Sequence, residues 1–96
     1  MRISLIVKTL EGIIMSFKPI SYKHKDKYVK IGWNIAYYRK AKGMSQLDLA
    51  EKANISRGFI SSIEASNMSV GMSFETFFDI ADALEIEAHK LLEFRE

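Results

Sequence analysis

Ser56-Arg57-Gly58 followed by Ser61 and Ser62 sets a forked cationic donor, a residue without a side chain and several hydroxyls within one short stretch. These are groups that bind rather than react. A guanidinium can donate two parallel hydrogen bonds to O6 and N7 of guanine, and a hydroxyl serves as donor or acceptor on any base edge. Chemistry of the catalytic kind has little support. The two histidines, His24 in a lysine-rich stretch and His89 in an acidic one, join no nucleophile or metal pattern, and cysteine is absent. The serines read as helix caps or surface residues, and the acids Glu75, Asp79 and Asp82 repeat as a solvated helix face does. No enzyme activity, cofactor or metal is expected.

The elements that must position Arg57 are written in residues 44–65, MSQLDLAEKANISRGFISSIEA. Leu47, Leu49, Ala50 and Ala53 recur at helical spacing, and so do Ile55, Phe59, Ile60 and Ile63. Between the two sets stands Asn54, which tolerates the left-handed backbone needed to reverse the chain. Two short helices joined by a tight turn are expected. Gly43-Met44-Ser45 and Gly71-Met72-Ser73 repeat one tripeptide suited to end one element and cap the next. Ser45, Ser56 and Ser73 each stand one residue after an apolar side chain that can staple to the fourth helical position: Met44 with Leu49, Ile55 with Ile60, Met72 with Phe77. Asp48 lies three residues after Ser45, where a carboxylate meets free backbone N–H groups.

With these landmarks, residues 31–92 resemble the phage repressor and Cro-like (XRE-type) helix-turn-helix domains. The matching positions include Ile31-Gly32, Ile35, Tyr38-Arg39, Ser45-Gln46, Leu49-Ala50-Glu51, Ser56-Arg57, Ile63-Glu64, Ile80-Ala81 and Leu91-Leu92. The resemblance implies an all-α, five-helix repressor-like domain over residues 29–96, preceded by an N-terminal extension over 1–28. Helix 1 is expected from about Val29 to Ala41, helices 2 and 3 after Ser45 and Ser56, helix 4 with Phe74, Phe77, Phe78, Ile80, Ala81 and Leu84 buried, and a short helix 5 from about Ala88 to Phe94. Glu85 stands where the family commonly has glycine, so helix 4 is expected to end unusually or to run on.

The same resemblance implies a sequence-specific DNA-binding transcriptional regulator of the repressor type. Helix 3, about residues 56–64, would enter the major groove of double-stranded DNA, and a homodimer would bind a near-palindromic operator. The implied DNA-binding set is Gln46, Ser56, Arg57, Gly58, Phe59, Ser61, Ser62 and Asn67. Arg57 is the first choice for base readout, Gln46 for a phosphate clamp and Asn67 for a weaker phosphate contact, while Phe59 can touch a thymine methyl or complete the core. Arg39 and Glu64 match a structural salt bridge, with a phosphate contact from Arg39 as a further expectation. A cytoplasmic protein of bacterial or phage origin is implied as well.

Charge is divided along the chain. Residues 15–43 hold eight Lys and Arg against Asp26 alone, a balance of +7, and residues 44–96 hold four against ten acids, a balance of −6. The basic segment can neutralise phosphates, whereas the acidic helix 4 region would be repelled by DNA. The apolar runs near residues 3–7 and 13–15 are too short to span a bilayer, so no membrane partner is expected.

Residues 1–28 lie outside the resemblance. Ile3, Leu5 and Val7 alternate as in a short strand or arm, Pro19 precludes one continuous helix, and Met15 offers an alternative start. Trp33 and Tyr37 stand one helical turn apart where the family has polar residues, which suggests a dimer or partner face that residues 1–20 could cover. The competing reading is therefore an antitoxin-like or adaptor protein that uses this fold chiefly for a protein partner.

Overall fold

A computed structural model describes residues 22–65 and 71–94. The alternating segment at residues 3–7 and Asn67 lie outside the described residues. A 3-10 turn, Tyr22–His24, runs into α1 (Lys25–Ala41), followed by α2 (Gln46–Ala53), α3 (Arg57–Glu64), α4 (Phe74–Ala83) and a 3-10 segment at Ala88–Leu92. Two expectations are corrected. Helix 1 begins four residues before Val29, with Asp26 in its first turn where a carboxylate complements the helix dipole. The fifth element is a single 3-10 piece that ends at Leu92, not an α-helix to Phe94. Five residues are too few to repay helix nucleation. Instead, the Asn34 side-chain amide donates to the carbonyls of Leu91 (2.9 Å) and Glu93 (3.1 Å), fixing this segment against α1.

Each of the three short helices is capped by a serine. The Ser45, Ser56 and Ser73 hydroxyls accept from the backbone N–H of Asp48 (3.0 Å), Phe59 (3.1 Å) and Thr76 (3.1 Å). At Ser45 the box is reciprocal, because its own N–H donates to Asp48 Oδ2 at 2.9 Å. That backbone bond, with the Ser45 hydrogen bond second, lowers the Asp48 pKa against a small opposing effect of desolvation.

The C-termini of α1, α2 and α4 share one closure, whereas α3 ends in extended backbone at Ala65. Gly43, Asn54 and Glu85 adopt φ of 70°, 58° and 58° after α1, α2 and α4. In each case the next residue's N–H reaches back five positions: Met44 to Arg39 O (3.0 Å), Ile55 to Ala50 O (2.9 Å) and Ile86 to Ala81 O (3.1 Å). This is the Schellman closure, and the apolar residue after each turn packs on the core. Helix 4 therefore ends at Ala83 with the usual geometry despite the glutamate, correcting the expectation of an unusual end.

The core is made by Ile35, Leu49, Ile60, Ile63, Ile80, Leu84 and Leu91, all fully buried. α2 packs on α3 and α4, and α1 on α3 and the C-terminal 3-10 segment. The α1–α3 crossing is so close that a Cβ on Gly32 would lie 1.8 Å from the Ile63 carbonyl oxygen, so only glycine fits there. Three residues expected inside are not. Leu47 is 51% exposed, Phe74 78% and Phe78 48%, because each lies beyond the arc of its helix that faces a neighbour. Phe74 and Phe78 stack on each other instead, with centroids 6.0 Å apart.

Glu85 holds a left-handed conformation that costs a side chain about 1–2 kcal/mol, and its exposed contact with Lys52 (3.3 Å) offsets little of that. Glu85→Gly should raise stability by about 0.5–1 kcal/mol in urea unfolding, since part of the relief is lost to the freer unfolded chain. An unchanged or lower midpoint would contradict the strain at this cap.

Candidate nucleic-acid interface

Arg57 is the first residue of α3, directly after the Ser56 cap, and Gln46 is the first residue of α2, directly after Ser45. Arg57, Gly58, Ser61 and Ser62 are all exposed, while Ile60 and Ile63 on the opposite arc are buried. α3 is amphipathic with one cation and no acid on its open side. Phe59 lies at the margin, partly buried and packed on the core. Ser56 is exposed but its oxygen is engaged as the cap, leaving its O–H as a donor.

Gly58 has no structural duty among the described residues: a Cβ built on it meets nothing within 4 Å. Glycine in a helix costs about 1 kcal/mol relative to alanine. Its presence on the open face of α3 leaves backbone accessible there. Arg57, Gly58 and the two small serines form a low surface on which only one long side chain stands out.

The orientation of α3 is set by a buried polar group. Arg39 Nε donates to Glu64 Oε2 at 2.8 Å and Nη2 donates to Oε1 at 3.0 Å, a bidentate pair whose side chains are 9% and 7% exposed. Arg39 Nη1 donates to the Met44 carbonyl at 2.7 Å, in the turn between α1 and α2. Gln46 Nε2 donates to Glu64 Oε1 at 3.0 Å. One carboxylate thus joins α1, the start of α2 and the end of α3. The Glu64 hydrogen bonds raise the Arg39 pKa; burial opposes the shift and the carboxylate charge adds to it. With its donors turned inward, Arg39 is withdrawn from the surface and not placed to touch a phosphate. Gln46 is half-buried, one amide hydrogen committed to Glu64 and its carbonyl and second hydrogen available at the helix start.

The Gln46–Glu64 bond, the Met44 carbonyl acceptor and the close approach at Gly32 were not foreseen in the sequence. Asn67 lies in the loop outside the described residues. Trp33 and Tyr37 are 53% and 51% exposed on α1, away from α3, and Tyr37 meets Tyr38 edge-on at 5.1 Å. The acids of α4 are exposed on that helix and do not join the α3 face.

Two eight-residue helices joined through a left-handed Asn54, the second presenting a polar face, define a helix-turn-helix module. The chain belongs to the helix-turn-helix family, whose profile, described as Helix-turn-helix, matches residues 35–91. It is 38% identical over 63 residues to the HTH-type transcriptional regulator SinR of Bacillus subtilis (strain 168), covering 66% of this chain and 56% of that protein. The chain thus spans about half the length of the curated relatives it matches. Among solved structures, SinR in complex with DNA superposes with a TM-score of 0.61 at 38% identity, covering 66% of this chain and 98% of that one. The restriction-modification controller protein C.AhdI from Aeromonas hydrophila gives 0.62 at 31% identity, covering 67% and 94%.

Glu64→Ala would leave the Arg39 guanidinium buried without its carboxylate. A loss of about 3–5 kcal/mol is expected, a fall in Tm of roughly 10–30 °C for a domain of this size. A thermal melt matching the unsubstituted protein would contradict the structural role of the pair.

Proposed function

We propose that this protein is a sequence-specific DNA-binding transcriptional regulator of the repressor type, with α3 as the recognition helix. The observation that carries the reading is the exposed Arg57, Gly58, Ser61 and Ser62 face, where a glycine with no packing reason leaves the backbone open beside a forked donor. Arg57 donates to a guanine edge, Ser61 and Ser62 meet neighbouring bases, and the gap at Gly58 lets α3 seat deeply in the major groove. Gln46, Ser56 and the free N–H groups at the starts of α2 and α3 hold phosphates. Asn67 is included as a further phosphate contact. The solved SinR complex with DNA supports this reading.

The chain acts as a homodimer on a near-palindromic site, the two α3 helices about 34 Å apart along the duplex. Its setting is the cytoplasm, where double-stranded DNA of a bacterium or phage is accessible. No described helix is long and apolar enough to cross a membrane. A second reading, an antitoxin-like or adaptor role, is favoured by the exposed Trp33 and Tyr37, which would form the partner or dimer face, and by the solved SinR–SinI complex. The two readings are compatible, because that face and the α3 face use different residues.

Selection of bound duplexes from a random pool should enrich a near-palindrome containing a guanine whose identity matters. Arg57→Ala should lower affinity for that site about 10-fold or more and relax the preference at that guanine, as expected for loss of one bidentate base contact worth about 1–3 kcal/mol. No enrichment by the folded protein would overturn the DNA reading in favour of the protein partner.

A further inference from the structure

On the side of the fold formed by the first turns of α1 and α4, an open groove of about 410 Å³ is lined by Tyr28, Ile31, Phe74, Phe77, Leu92 and Phe94. Its surroundings are apolar as well. Phe74 is 78% exposed, Phe78 48% and Leu92 50%, a contiguous patch of the kind that single soluble domains seldom leave uncovered. Among the described residues, none of those proposed to face DNA lines it. Trp33 is displaced by about 200° around α1 from Ile31, so the aromatic pair with Tyr37 belongs to a different face.

We propose that this groove is the seat of the chain's own residues 3–20. Three observations identify the occupant. The wall of the groove includes His24, Lys27 and Tyr28, so the chain upstream of Tyr22 joins the described structure at the groove's rim. Ten of the eighteen residues from 3 to 20 are Ile, Leu, Val, Met or Phe, and the core of the described domain is closed without them. Pro19 stops α1 from continuing through that segment as one straight helix, so the chain can turn back along the groove.

Charge does not decide the occupant. Residues 1–21 carry Arg2, Lys8 and Lys18 against Glu11, and Glu75, Asp79 and Asp82 are exposed on α4. The groove itself is lined by His24 and Lys27 and, among the described residues, by no acid. Being tethered within a few residues, the segment faces the groove at an effective concentration of the order of millimolar, ahead of any second copy at ordinary protein concentrations. The segment thus covers Phe74, Phe78 and Leu92, whereas Trp33 and Tyr37 stand exposed on a different face. This assignment does not rest on DNA binding.

The full chain contains no cysteine, so Thr9→Cys gives a single attachment point for a nitroxide spin label. With the isotope-labelled protein, the amide resonances of Phe74 and Leu92 should lose most of their intensity while the Trp33 indole keeps its own. Phe74→Ser, a substitution at an exposed site that the core does not need, should restore much of the Leu92 signal. In a mixture of isotope-labelled protein without the nitroxide and spin-labelled protein without isotopes, these signals should stay intact. Bleaching centred on Trp33 and Tyr37, no bleaching of the groove, or groove bleaching that persists in the mixture, which would make a second copy the occupant, would each overturn the proposal.

Discussion

The buried Arg39–Glu64 pair is the constraint on which the rest of the domain depends. Taking two charges out of water costs several kcal/mol per ion, so the pair survives only because its geometry is bidentate and the remaining donors find partners. They do: Met44 supplies a carbonyl and Gln46 an amide, and among the described residues no buried side-chain polar atom lacks a hydrogen bond. Because those partners come from α1, the α1–α2 turn, α2 and α3, satisfying one guanidinium and one carboxylate fixes the angle at which α3 leaves the core. Gly32 lets this happen at short range, since α1 must come against the Ile63 carbonyl for Arg39 to reach Glu64.

Helices of eight residues are not stable alone, because nucleation is not repaid over two turns. Here they are held from outside. Serine caps satisfy the opening N–H groups of both, a left-handed turn at Asn54 closes α2 and sends Ile55 onto the core, and α3 ends in extended backbone at Ala65 with its last residue, Glu64, held by Arg39. Met44 and Ile55 serve twice, closing one helix and stapling the next. The motif is therefore a chain of shared ends around Leu49, Ile60 and Ile63. That rigidity lets Arg57 and Gln46 be presented from helix starts with little freedom of direction, which is what readout by short contacts requires.

Much of this was legible in the sequence, for local reasons. The three serine caps, Asn54 at the turn and the buried faces of α2 and α3, apart from the exposed Leu47, follow from spacing alone. The partner of Arg39 came instead from a resemblance, since residues 25 apart in sequence carry no local signal of contact. What stayed hidden was set by tertiary packing. Phe74 and Phe78 follow helical spacing as faithfully as Phe77, yet no neighbour among the described residues covers their arc. The 3-10 form of Ala88–Leu92 depends on capture by Asn34, and the cap at Glu85 on packing that overrides a backbone preference. At the α3 face, exposure was foreseeable from amphipathicity, whereas the absence of any packing need at Gly58 is set by how the folded helices lie around it.

Stability and orientation can be separated, because an apolar pair of similar volume can replace a buried ion pair without loss of folding. The most direct test is the double substitution Arg39→Met with Glu64→Leu, read by thermal melting and by binding to the selected duplex against a scrambled one. The account predicts a Tm close to that of the original protein and a loss of about 10-fold or more in discrimination, since α3 and Gln46 would no longer be locked together through one carboxylate. A folded double variant that discriminated between the two duplexes as well as the original protein would contradict the claim that this pair orients the recognition helix.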